Sequence, residues 1–285
     1  MELNGTVFPS PSFDFRSVNE FKDDLIFIPS RDNNDKVKYY IPCLFLRSNN
    51  KLCKNFILFF HGNAEDIFLA QYMAASLWEK LDMNLIIIEY PGYSIYKGEP
   101  NADKILENTS IVYDFIKNQF NIKDENIFIY GRSIGTSPAI YLSSIRRPNA
   151  LFVVSSFTSI RSVAGNLVGP LKYLLKDRFF SKDYIKNVKC PIIFIHGKID
   201  PLIPYKETET LVNLYKFTKE YKLQENMTHN DFNLEKDIIE PINEFIKKNC
   251  IVDKQDNDLN NIEIIIDKLH QMPKEIELYI NSQIK

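Results

Sequence analysis

The chain has 285 residues, 45% of them apolar, with 21 Phe and 15 Tyr, which supports one large α/β domain or two small ones. A formal charge of −2 with no basic run argues against nucleic acid and against an anionic membrane surface as partners. No apolar run reaches the roughly 18 residues of a membrane span, and Met1-Glu2-Leu3-Asn4 resembles neither a secretory signal nor a myristoylation site, so a cytoplasmic chain is expected. The four cysteines, Cys43, Cys53, Cys190 and Cys250, are scattered and make no metal-type pair, so free thiols and no metal are expected.

Two early segments read as strands, 24–28 and 38–46, joined by the polar stretch 29–36 as an antiparallel hairpin. Residues 56–61 form a continuous apolar run ending at Gly62, as in a strand buried on both faces. Residues 67–81 are helical in pattern, with Asp66 placed to cap them, and 85–88 is a second buried strand closed by Tyr90-Pro91-Gly92. Residues 103–120 carry apolar side chains on one helical stripe. The alternation continues with strand 126–130, helix 133–145, strand 151–155, strand 192–196, helix 205–217, strand 220–224 and helix 232–247, for which Asp231 is the expected N-cap. Such alternation predicts a mostly parallel sheet with helices on both faces.

Residues 158–187 interrupt that alternation and read as a small, mostly helical cap broken by Gly165, Gly169 and Pro170. Its apolar side chains, Leu171 and Leu174 among them, are expected to line an acyl pocket. After Cys250 the chain turns polar and acidic, then offers two short helices, 261–269 and 275–284. The expected organisation is a catalytic domain over 1–250 and a helical extension over 251–285 that packs on the domain or binds a protein partner.

Gly131-Arg132-Ser133-Ile134-Gly135 is a G-x-S-x-G pentapeptide between a strand and a helix. That context suits a nucleophilic serine on a sharp turn, where the glycines avoid collision with the neighbouring strand and helix. A serine hydroxyl needs a base. Of four histidines, His61 and His196 end apolar strands before glycine, and His270 lies in the tail. His229 stands in the polar loop 226–231 before the last domain helix and is the expected base. Asp200 follows strand 192–196 through Gly197-Lys198-Ile199, giving the chain order Ser, Asp, His. Asp177 and Asp183 have no strand in front of them. An oxyanion would need two backbone N–H donors. Ile134 is one, and the loop His61-Gly62-Asn63-Ala64 supplies the other, from Asn63 or, as the alternative, Ala64.

These motifs, with Tyr90-Pro91-Gly92-Tyr93, Ser156-Phe157-Thr158-Ser159-Ile160-Arg161 and Val188-Lys189-Cys190-Pro191, resemble the BEM46-like serine hydrolases of the α/β-hydrolase fold. That group includes the ABHD17-like depalmitoylases and ABHD13-like proteins. The resemblance spans about residues 7–247 and implies the triad Ser133, Asp200 and His229. The chain departs from the group in reading Gly92-Tyr93-Ser94 where Gly-Tyr-Gly is common, and in having Cys43 as its first cysteine where the depalmitoylases carry an N-terminal cysteine cluster. It also shows no N-terminal membrane segment of the ABHD13-like kind. The expected activity is hydrolysis of an acyl ester or thioester without a cofactor, by a protein depalmitoylase or a lipid esterase that touches membranes at most peripherally. Two alternatives are a serine peptidase or amidase with the same triad, and a non-catalytic interaction protein on the same fold.

Overall fold

The computed structural model describes residues 10–50, 53–163, 177–252 and 260–284. The chain divides into two compact units, one built from residues 4–123 together with 254–285, the other from residues 124–253.

In the first unit, β1 (Leu25–Arg31) and β2 (Val37–Leu46) form the antiparallel hairpin, with Leu25 opposite Leu44 and Ile28 opposite Ile41. β3 (Phe56–Phe60) is buried at every position, as its unbroken apolar run requires. Helix α1 (Ile67–Leu81) starts where Asp66 accepts the Phe68 and Leu69 N–H groups, the capping expected of it. β4 (Asn84–Ile88) pairs parallel with β3 and antiparallel with β2, so this part of the sheet runs β1-β2-β4-β3. Helix α2 (Ala102–Gln119) is capped by Asn101 and buries Ile105, Val112 and Ile116 on one stripe.

The second unit carries four parallel strands in the order β5 (Ile127–Arg132), β6 (Ala150–Val154), β7 (Ile192–Gly197) and β8 (Lys219–Gln224). β5, β6 and β7 are fully buried; β8 is half-exposed and charged, which suits an edge strand that must not recruit another sheet. After β5 a 3-10 turn, Ser133–Gly135, leads into α3 (Thr136–Ile145), so the expected helix begins three residues late. Ser181–Tyr184 forms a short helix α4, followed by a 3-10 turn at Ile185–Asn187. Gly165, Gly169, Pro170, Leu171 and Leu174, on which the cap reading leans, lie outside the described residues.

Helix α5 (Tyr205–Leu214) stops three residues short of expectation. Tyr215 leaves the helix because its ring is buried and its hydroxyl donates to the Cys190 carbonyl, while Lys219 Nζ donates to the Val212 and Tyr215 carbonyls that the helix end leaves free. The closing helix also differs. Residues Leu234–Ile239 form a π-helical turn that continues into α6 (Glu240–Asn249). Its N-cap is Asn233, which accepts from Lys236 N, and not Asp231. Asp231 is instead engaged in a tight turn, exchanging hydrogen bonds with the backbone N–H and side chain of Thr228.

The tail supplies α7 (Asn260–Leu269) and α8 (Lys274–Gln283) to the first unit. Ile266, Leu269, Ile276 and Ile280 are buried, His270 Nδ1 donates to the Leu25 carbonyl at 2.7 Å, and Tyr279 meets Phe15 edge-on. Among the described residues, no helix is long and apolar enough to cross a membrane.

Candidate active site

Strand β5 delivers Ser133 onto a backbone with φ of +52°, a conformation that an L-residue holds only when its surroundings enforce it. The preceding strand and the following helix do so. Gly131 is needed there, since a Cβ at that position would sit 2.8 Å from Ala139 Cβ and 2.5 Å from the Gly135 carbonyl oxygen. Thr136 Oγ1 donates to the Ser133 carbonyl at 2.6 Å and pins the turn from the other side.

The second unit brings all three residues of the expected constellation together. His229 Nε2 lies 3.0 Å from Ser133 Oγ, and His229 Nδ1 lies 2.8 Å from Asp200 Oδ2. A carboxylate only accepts, so Nδ1 carries the proton and Nε2 presents its lone pair to the serine hydroxyl. Each of the three residues is less than a tenth exposed. Asp200 sits in the turn after β7, where its Oδ1 accepts the Leu202 and Ile203 N–H groups at 2.9 Å each. Burial pushes the Asp200 carboxyl up, but hydrogen bonds from His196 and His229 and the charge of His229 outweigh it and hold the group well below the usual carboxylate range.

His229 is held by its loop, and the loop by its neighbours. Gly197 has no room for a side chain, because a Cβ there would collide with the Met227 carbonyl, so glycine is what lets the histidine loop pass β7. Arg132 Nη2 donates to the His229 carbonyl at 2.7 Å and to Asn230 Oδ1 at 2.9 Å. Arg132 occupies a variable position of the pentapeptide, and its partners lie nearly a hundred residues away in sequence, so nothing local announces it.

His196 was read as a strand-end residue and is more than that. It is fully buried, its Nε2 donates to the Ile203 carbonyl at 2.9 Å and also faces Asp200 Oδ2 at 3.4 Å, and its Nδ1 meets Thr208 Oγ1 at 2.6 Å. The signal available was its spacing of four from Asp200.

The loop after β3 belongs to the first unit. Asn63 Oδ1 accepts from the Tyr93 hydroxyl at 2.9 Å, and Ala64 has φ of +56°. Behind them His61 donates through Nδ1 to the Gly62 carbonyl at 2.9 Å and through Nε2 to Glu89 Oε1 at 3.2 Å. Burial alone would lower the His61 pKa, but the Glu89 carboxylate raises it. Glu89 also accepts from Tyr90 N, Ile67 N and Ser94 Oγ. The nearby Asp66 carboxyl is pushed up to about 6, by burial first and by the Glu89 charge second. Ile134, the residue after Ser133, is buried on the 3-10 turn.

The cysteines are free, with Cys43, Cys53 and Cys190 buried and Cys250 partly so. Among the described residues no cluster of His, Cys, Asp and Glu could hold a metal ion.

Residues 86–250, more than half of the chain, match the phospholipase/carboxylesterase family. The chain is 27% identical over 211 residues to human alpha/beta hydrolase domain-containing protein 17B, covering 74% of this chain and 72% of that protein. It is 28% identical over 245 residues to the putative alpha/beta hydrolase L404 of Acanthamoeba polyphaga mimivirus, covering 83% and 88%. Among solved structures, the Pyrococcus furiosus esterase Pf2001 superposes with a TM-score of 0.63 at 15% identity, over 84% of this chain and 96% of that one. Est1E of Butyrivibrio proteoclasticus does so with a TM-score of 0.59 at 17% identity, over 79% and 100%. The fold is therefore the expected α/β-hydrolase fold, and the chain, an ABHD17-like hydrolase, belongs to the phospholipase/carboxylesterase family.

Proposed function

We propose that the protein is a serine hydrolase that cleaves an acyl ester or thioester through an acyl-enzyme. The observation that carries this reading is the relay from Ser133 Oγ to His229 to Asp200, at 3.0 Å and 2.8 Å, on a left-handed serine. Ser133 attacks the acyl carbonyl while His229 Nε2 takes its proton. Asp200 fixes the tautomer and stabilises the imidazolium, which its depressed pKa suits, because it stays ionised through the cycle. The protonated His229 then gives its proton to the departing alcohol or thiol. Water, activated by the same histidine, releases the acid and restores Ser133.

The Ile134 N–H, directly after the nucleophile, serves as one oxyanion donor in this reading. No cofactor enters the scheme. The resemblance to depalmitoylases favours a protein thioester or a lipid ester as substrate. A fluorophosphonate probe should label the wild type and fail on Ser133→Ala, and p-nitrophenyl esters of graded acyl length should be hydrolysed by the wild type alone. Labelling or turnover that persists in Ser133→Ala would end the assignment.

A further inference from the structure

We infer that Arg132 is a positioning residue for His229: its guanidinium clamps the base loop onto the serine turn and sets the reach of Nε2 to Ser133 Oγ. The inference rests on the reading of Ser133 and His229 as nucleophile and base.

The side chain is less than a tenth exposed, unusual for an arginine, and it leaves β5 one residue before Ser133. A single nitrogen, Nη2, spends both its hydrogens on the base loop, one on the His229 carbonyl at 2.7 Å and one on the Asn230 side chain at 2.9 Å. The guanidinium carbon also lies 5.6 Å from the centre of the Phe232 ring. Three contacts thus fall within four residues of one loop. Arg132 ends β5 and Ser133 opens the 3-10 turn that follows directly, so a clamp from Arg132 to the His229 backbone fixes base and nucleophile in one frame. Without the clamp, the turn that Thr228 and Asp231 close would keep its own shape but lose its attachment to β5. A displacement of about 1 Å between base and nucleophile costs on the order of a hundredfold in rate.

Arg132 touches no reacting atom in this scheme, so its loss should fall on kcat and leave KM nearly unchanged. The test uses the full chain with p-nitrophenyl butyrate, kcat being referred to the folded fraction measured by circular dichroism. For Arg132→Met, kcat is expected to fall about a hundredfold with KM within about threefold of wild type, and fluorophosphonate labelling of Ser133 to slow in parallel. Arg132→Lys, which keeps a cation and donors but not the planar fork, should fall between the two. Arg132→Ala should recover turnover with added guanidinium ion and not with sodium at equal ionic strength. Asn230→Ala, an exposed position, should lose about three- to tenfold, and the double variant with Arg132→Ala should be no slower than Arg132→Ala alone.

If Arg132→Met merely lowers the melting temperature while the folded fraction keeps wild-type kcat, the inference is overturned. Should Arg132→Met fail to fold, Arg132→Lys and Asn230→Ala carry the test, and wild-type kcat in both overturns it. Turnover that survives Ser133→Ala instead strikes at the assignment of the nucleophile, a result distinguishable from either.

Discussion

His196 and His229 share one carboxylate oxygen of Asp200: His196 Nε2 stands 3.4 Å from the Oδ2 that His229 bonds at 2.8 Å. With the two backbone N–H groups on Oδ1, the carboxylate is served on every side. A group so surrounded is hard to protonate and hard to turn. Both properties can be measured.

The first measurement is Asp200→Asn. The amide can no longer enforce a proton on Nδ1, and kcat should fall by about three to four orders of magnitude with little change in KM. The depressed Asp200 pKa adds stability that is present above the ordinary carboxylate value and lost as pH falls through the folded value. Wild-type urea midpoints should therefore drop on acidification below about pH 4 more steeply than those of Asp200→Asn. Parallel pH curves for the two proteins would contradict the pKa shift.

Strain at Ser133 gives a second comparison. Both Ser133→Ala and Ser133→Gly lose the hydroxyl that the proposed reaction uses and should be inactive. Only glycine relieves a φ of +52°, so it should be the more stable of the two by about 1 kcal/mol in chemical denaturation. Equal midpoints would mean that the turn is not strained.

The buried pair of His61 and Glu89 yields a third. Glu89→Gln keeps the shape but removes the charge facing His61, and should cost about 3 kcal/mol or more. Because His61 has its pKa raised in the fold, the pair contributes fully below the unfolded histidine value, about 6.5, and loses its contribution as pH rises through the folded value. The gap between wild type and Glu89→Gln should therefore be widest below that pH and shrink above it. Glu65 also acts on His61, and because the Glu89 charge helps raise Asp66, Glu89→Gln should lower the elevated pKa of Asp66 as well, visible by carboxyl NMR. A gap independent of pH would contradict the ionised pair.

Truncation after Asn249 removes Ile266, Leu269, Ile276, Ile280 and the hydrogen bond from His270 to Leu25. Each buried aliphatic side chain is worth about 1.5–3 kcal/mol, so the melting temperature should fall by about 10 °C or more. The truncated chain should still hydrolyse a small soluble ester, since Ser133, His229 and Asp200 all lie in the other unit. Loss of turnover in a chain that remains folded by circular dichroism would show that the tail shapes the site.

What could be read from the residues was whatever local pattern encodes. Strands β3, β4 and β7 announce themselves as apolar runs because both their faces are buried. Ser133, Asp200 and His229, which the structure brings within hydrogen-bond reach, were legible because each sits at a strand end or loop that chain order singles out. Arg132 and Glu89 were missed because Arg132 meets His229 and Asn230, and Glu89 meets His61, only through the tertiary fold. Asp231 was misread as a helix cap because Asx residues serve turns as readily as helix starts, and only the Thr228 contacts decide between them. Tyr215 ended α5 early through a bond to Cys190, a tertiary choice that helical periodicity cannot register.

One further consequence follows from the way the tail returns to the beginning. Leu25 receives His270 across a sequence separation of 245, and residues 254–285 belong to the same unit as residues 4–123. On a ribosome, the middle of the chain can mature as an uninterrupted piece, whereas the first unit gains its last packing only when residues 260–284 emerge. A nascent chain released between Asn249 and His270 would carry the whole relay yet leave β1 without the helix that meets it.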